Sequence, residues 1–166
     1  IRPDATLESL SKLKPVFKKD GIVTAGNASG MVDGACALII TTERTAQENR
    51  CEILGEVLGS TVTGCDPTIM GIGPVSATRK LLTQFNKSVS DISLFEINEA
   101  FAAQVLSVNK ELGIPLEKLN VDGGAISMGH PLGASGARLV THLLYRLKKN
   151  GGLGLASACI GGGQGM

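Results

Sequence analysis

At 166 residues, with 43% hydrophobic content and a mean hydropathy of +0.19, the chain holds enough apolar material for a packed core, which excludes disorder. A net charge of +1 with no block of like charges, and only 3% aromatic residues, exclude the basic stripe and base-stacking surface of a nucleic-acid binder. The longest apolar runs, such as Ala35–Ile40, are far too short to span a bilayer.

Residues 5–14 place Leu7, Leu10 and Leu13 three apart, which predicts a short amphipathic helix stopped by Pro15. Residues 21–34 are small and turn-forming. Residues 35–42 (ACALIITT) form a continuous β-prone run and read as a buried strand. A helix over 43–50 follows, then a glycine-interrupted strand over 51–62. The stretch DPTIMGIGP reads as a loop, and Pro74 opens a helix that runs to about residue 86. Residues 93–97 (SLFEI) read as a strand, with Asn98 as the N-cap of the helix after it and Gly113 as that helix's stop. A short strand is expected over 119–121. A long amphipathic helix then carries Leu139, Leu143 and Leu147 on one stripe, with cations in its last turn. Residues 153–160 (LGLASACI) form a final strand. This alternation of strand and helix predicts an α/β class with a layered sheet.

The four cysteines, at 36, 51, 65 and 159, show no CxxC and no paired histidines nearby. That spacing suits neither zinc nor a disulfide scaffold, and it points to a reducing compartment.

Three polar clusters fall at strand ends or in Gly-rich loops, where side chains converge and backbone approaches a ligand closely. The first is Asn98-Glu99-Ala100-Phe101-Ala102, which also reads simply as a helix start. The second is Gly129-His130-Pro131, set among glycines and just ahead of a helix N-terminus suited to anions. The third is Cys159 followed by Gly161, Gly162 and Gly163. Alone, a cysteine ending an apolar strand is a small buried hydrophobe, but the glycines after it bare the backbone amides. A thiol of ordinary pKa, about 8.5, beside a neutral imidazole exchanges protons near neutral pH. An Asn, a His and a Cys at the strand ends of one α/β unit suggest acyl transfer or carbanion chemistry on a thioester.

In this order, NEAFAA, GGAISMGHPLGASG and SACIGGGQG resemble the three C-terminal signatures of the thiolases, and GIVTAGNASGMVDGA resembles the family's CoA-side loop. The resemblance covers essentially the whole chain. The segments VFKKDG, GCDPTIMGIGP and SACIGGGQG are most similar to the mitochondrial 3-ketoacyl-CoA thiolases, while IRPDATLESLSKLKP also resembles the biosynthetic acetoacetyl-CoA thiolases. The implied fold is the thiolase-like C-terminal half, a mixed sheet flanked by helices. Residues 1–42 would be the tail of the loop region and last strand of the N-terminal half. Residues 43–166 would be the C-terminal domain without its last strand.

The resemblance also implies roles. His130 activates a cysteine of the N-terminal half and helps form an oxyanion hole, and Asn98 holds a water that completes it. Cys159 is the general acid and base, and the Gly161 amide lines a second oxyanion hole. Ser29, Phe101 and Arg2 are the implied CoA contacts, Arg2 near the nucleotide phosphate. Coenzyme A is a substrate rather than a bound cofactor. The implied activity is thiolytic cleavage of 3-ketoacyl-CoA, or its reverse, in a homo-oligomer (dimer or tetramer) that binds acyl-CoA and is mitochondrial, with cytoplasmic and peroxisomal locations as the alternatives. None of Cys36, Cys51 or Cys65 sits in a nucleophile context, so the expectation is a fragment inactive alone. The alternative is a non-catalytic CoA-binding or assembly module derived from the same family. Cys36, Cys51 and Cys65 read as packing residues. His142 reads as a surface or packing residue of its helix, and Lys148–Lys149 as helix-end charge.

Overall fold

The computed structural model describes all 166 residues. Thr6 caps the first helix, α1 (Leu7–Ser11): its hydroxyl accepts the Ser9 N–H at 3.1 Å, and Ser9 Oγ accepts the Thr6 N–H at 3.0 Å. Thr42 caps α2 (Glu43–Glu48) by accepting the Thr45 N–H. Neither strand expected in this part of the chain forms. Residues 35–42 and 51–62 carry no ladder, and Ile39 and Ile40 are 94% and 80% exposed. The cause is the lack of a pairing strand: a β-prone run becomes a strand only when another segment takes its N–H and C=O groups, and these two lie only beside helical segments, Cys36 against Thr141 of the later chain and Gly59 against Phe85.

From residue 63 onward the elements pack. β1 is only Thr63–Gly64. The expected loop after it is instead a 3-10 helix, Pro67–Ile72, because Asp66 accepts the Thr68 N–H at 2.8 Å and Pro67 fits its first turn. α3 (Gly73–Gln84) follows, with Pro74 in its first turn as expected. Then come β2 (Leu94–Ile97), α4 (Ala102–Leu112), α5 (Ala125–Met128) and α6 (Ser135–Asn150). Gly113 ends α4 in the left-handed conformation, φ 68°. The chain finishes with β3 (Gly154–Ser157), β4 (Cys159–Ile160) and β5 (Gln164–Gly165). The short strand expected at 119–121 reduces to single bridges at Leu119 and Val121.

The sheets are mixed. β2 and β3 pair in parallel, from Leu94↔Gly154 to Ile97↔Ser157, while β5 lies antiparallel between β1 and β4. The final strand expected over 153–160 is thus two strands in two sheets. The chain changes sheets at Ala158, whose N–H and C=O bond Met166 rather than β2. Close approach of backbone sets the join between layers. A Cβ on Gly165 would overlap the Gly73 carbonyl at the start of α3, so only glycine fits there.

Side-chain alternation along β2 explains the layering. Phe95 and Ile97 turn to one face, where they form the main core with Leu155 of β3, Val75 and Leu82 of α3 and Val108 of α4. Glu96 turns to the other face, against α6. Helices on both faces of a parallel pair are the α/β arrangement expected from the sequence. No helix is long and apolar enough to cross a membrane.

Candidate functional site

The parallel pair delivers two of the three polar clusters to the same sheet end. Beyond Ile97, the Asn98 N–H donates to Ser157 O at 2.9 Å, which carries the pairing one residue past β2. Ser157 is two residues before Cys159, so Asn98 and Cys159 leave neighbouring strands at their C-terminal ends. Asn98 is not the N-cap expected from sequence. α4 starts later, with Phe101 in the cap position, and that frees the Asn98 side chain.

Asn98 is 1% exposed and donates through Nδ2 to His130 Nε2 at 3.2 Å. On the other side of the ring, His130 Nδ1 lies 2.6 Å from Ser135 Oγ, at the start of α6. Ser135 Oγ donates to the Pro131 carbonyl at 3.0 Å, so its lone pairs face the imidazole. Counting protons assigns the tautomer: Nδ1–H donates to Ser135, and Nε2 keeps its lone pair and accepts from Asn98. Burial, helped by the Arg138 guanidinium, pushes the His130 pKa below its ordinary value. The ring is therefore a neutral base with Nε2 as its accepting atom. Asn98 Oδ1 is buried without a partner. An orphaned acceptor beside Nε2 marks a place for a ligand oxygen or a water.

Cys159 is partly buried in β4, opposite Gly165. Burial raises its thiol pKa, and the Cys65 thiol adds to the effect. The ordinary thiol expected from sequence is thus a more firmly protonated one, a proton donor at neutral pH. Gly161 is exposed and its N–H forms no hydrogen bond within the chain. Gly162 and Gly163 follow at φ 90° and 88°, a conformation that reserves this turn for glycine.

The Ser29 loop closes over this region. Ser29 N–H and Oγ both donate to Ala100 O at 3.0 Å, and the His130 N–H donates to Gly30 O at 2.8 Å. Phe101 meets Phe17 edge to face, with centroids 6.0 Å apart. Residues 27–30 are therefore wedged between the Asn98 and His130 loops, and the Ser29 hydroxyl is committed to backbone. Arg2 is exposed and forms no ion pair.

Two supporting residues, Ser135 and Asn120, escaped the sequence reading, and Glu99 was seen there only as a member of the first cluster. Ser135 fixes the His130 tautomer. Asn120, at φ 47°, mimics a peptide: its Oδ1 accepts the Ile97 N–H and its Nδ2 donates to Ile97 O and Glu99 Oε1, each at 2.9 Å. Glu99 in turn accepts the Ile126 N–H at 3.1 Å, which ties the Asn98 loop to α5 just ahead of His130. An Asn three residues before a Gly-Gly pair was the one local hint of a left-handed turn. Among the residues read as packing, Cys51 is instead exposed and Cys36 sits 3.3 Å from Thr141 Oγ1; Lys148, read as helix-end charge, pairs with Glu52.

The family model described as "Thiolase, C-terminal domain" matches residues 51–166, and that described as "Thiolase, N-terminal domain" matches residues 1–44. The chain is 53% identical to the mitochondrial 3-ketoacyl-CoA thiolase of Homo sapiens, over 99% of this chain and 42% of that protein. It is also 53% identical to the acetyl-CoA acetyltransferase of Chromobacterium violaceum, over 100% of this chain and 43% of that one. Among solved structures, human mitochondrial 3-ketoacyl-CoA thiolase in complex with CoA superposes with a TM-score of 0.90 at 47% identity. The acetyl-CoA acetyltransferase of Bacillus anthracis does so at 0.95 and 51%. Each superposition covers 99% of this chain and 42% of the solved chain. The chain thus spans less than half the length of the relatives it matches.

Proposed function

The chain belongs to the thiolase family, and from that premise we propose that it supplies the proton-transfer and oxyanion side of an acetyl-CoA acyltransferase site. The observation that carries the proposal is the buried Asn98–His130 contact, with Nε2 unprotonated, at the sheet end where Cys159 emerges. In the whole protein, a cysteine thiol outside this chain loses its proton to His130 Nε2 and attacks the 3-keto carbon of the substrate. The bond between the keto carbon and C2 then breaks. Its electron pair passes into the enolate of acetyl-CoA, and Cys159 Sγ–H donates its proton to C2. Cys159, now a thiolate, takes the proton of the free CoA thiol; the CoA sulfur then displaces the cysteine, which recovers its proton from His130, to release the shortened acyl-CoA.

Each assignment has a physical support. Having taken a proton, His130 Nε2–H becomes a donor on a ring still held by Ser135; the Asn98 amide then ceases to donate to it and is free to hold the water that serves as a second. One preorganised donor at a developing oxyanion contributes about 3–4 kcal/mol. The free Gly161 N–H suits the hole around the acyl-enzyme. The raised Cys159 pKa keeps the acid protonated, and a placed acid is worth about 10²–10⁴ in rate. CoA as substrate is supported by the human relative solved with CoA. Phe101 and the Ser29 loop would border its pantetheine arm, with Arg2 reaching the nucleotide phosphate only in the longer protein. Mitochondrial and bacterial relatives match equally well, so identity supports the family reaction before any compartment.

In the full-length protein, His130→Ala and Cys159→Ala should each lower thiolysis by about 10²–10⁴-fold; near-normal turnover in both would overturn the reading. Activity needs neutral His130 and protonated Cys159. Because the first pKa is lowered and the second raised, the plateau of kcat/KM against pH should extend beyond both ordinary values, on the acid and the alkaline side. Saturable CoA binding with no turnover in the unsubstituted full-length protein would instead indicate a non-catalytic CoA-binding module.

A further inference from the structure

α6 carries a second stripe beside its leucines. Ser135, Arg138, His142 and Arg146 follow at helical spacing along one side. Every one of them is engaged with the segments that build the site. Ser135 holds His130 Nδ1, and Arg138 Nη1 donates to Gly129 O at 2.8 Å, next to His130 in the chain. His142 places Nδ1 2.8 Å from Glu96 Oε1 and Nε2 2.7 Å from Asp122 Oδ2, and Arg146 Nε reaches the same Asp122 oxygen at 3.1 Å.

The contacts at His142 fix a proton count. Both ring nitrogens face carboxyl oxygens, and each short contact requires a proton between the atoms. A neutral imidazole supplies one. The second must sit between Nδ1 and Oε1, carried either by the ring as imidazolium or by Glu96 as the acid. Glu96 is 4% exposed, and burial pushes its carboxyl pKa up while the contact with His142 opposes the rise. Glu99 and Asp122 are the other acidic groups facing it, and Arg146 is the compensating cation. Removing that shared proton would set lone pair against lone pair at the buried Glu96 carboxyl between β2 and α6.

We propose that Glu96, His142 and Asp122 form a proton-bridged strut that positions the Asn98–His130 pair. The strut joins three supports of the site: β2, which ends at Asn98; the 120–124 loop, which clasps Ile97 through Asn120 and leads into α5 and His130; and α6, which holds the His130 ring through Ser135. His142 is a positioning residue, acting on the pair through these elements. The functional meaning rests on the reading of Asn98 and His130 as the working pair.

The test uses nitrogen-15 NMR of the imidazole rings in the 166-residue chain, which contains only two histidines, at 130 and 142. In the unsubstituted chain, His130 should show the Nδ1–H tautomer with a bare Nε2. His142→Ala should at least double the minor Nε2–H population of His130. Glu96→Gln retains a hydrogen bond to a neutral ring through its amide, so it should leave the His130 tautomer as in the parent chain. A folded His142→Ala chain with unchanged His130 signals would reduce the network to packing and overturn the proposal. If His142→Ala does not fold, Asp122→Ala, at an exposed loop position, removes the outer limb alone. The same minor population should then rise, and an unchanged one overturns the proposal equally. The readout needs no turnover, so it stands or falls separately from the thiolysis experiment.

Discussion

Residues 1–62 and 63–166 have similar apolar patterning and opposite fates. The first region contributes only Ala46 to the buried residues of the chain, whereas the second holds the whole main core. ACALIITT at 35–42 is at least as β-prone as LFEI at 94–97, yet only LFEI is a strand. LFEI lies beside GLAS at 154–157 and is covered by helices on both faces; ACALIITT has no strand beside it and touches α6 only at its start, through Cys36 and Thr141. Strand propensity is a statement about fitting a pleated, half-buried surface, and without the surface it has no outlet.

Phe95→Ala should have the largest effect on this contrast. Phe95 is fully buried at the centre of the second region, and truncating it leaves a cavity in a layer that α3 and α4 cannot both close. A loss of about 3–5 kcal/mol is expected in urea denaturation of the chain. A loss below about 1 kcal/mol would mean that the second region is no better packed than the first.

Asn120 tests the polar side of the same region at intermediate size. Asn120→Ala removes the side-chain bonds to Ile97 and Glu99 and also places a Cβ-bearing residue at φ 47° without the local bonds that favour Asn there. A destabilisation of about 2–3 kcal/mol is expected. Asn120→Gly removes the same bonds without the backbone strain and should be milder by about 1 kcal/mol. If the two variants were equally destabilised, the left-handed turn would carry no strain.

How much of this was legible in the sequence divides along the same line. Helices ended by local chemistry were readable: Pro74 opened α3, Gly113 closed α4, and the Leu139–Leu143 stripe marked the buried side of α6. The three clusters were readable because glycine-rich loops at strand ends are local signals too. Non-local partners were not. That Asn98 reaches His130 rather than capping α4 depends on a pairing 32 residues apart, and the contact of His142 with Glu96 spans 46. His142 read as a surface or packing residue because it lies beside the leucine stripe, on a polar side of the helix that ordinarily faces water. Ala158, where the last strand changes sheets, has nothing in its own side chain to announce the break.

The smallest expected effect is the sharpest test of the comparison. Ile39→Ser replaces a large apolar side chain that is 94% exposed, with no ladder on either side of it. In a buried strand the same change would remove most of a fully desolvated side chain and cost about 2–5 kcal/mol. Here the chain should lose no more than about 0.5 kcal/mol, the ordinary range for an exposed position, and soluble yield should rise, because an apolar, unpaired β-prone run is a template for association between copies. A loss above about 1 kcal/mol would show that the contact at Cys36 extends to Ile39 and that the two halves of the contrast are one folding unit. Repeated in the full-length protein, Ile39→Ser distinguishes two causes of its exposure. A penalty that appears only there means that a segment outside this chain supplies the missing neighbour for ACALIITT, as β3 does for β2.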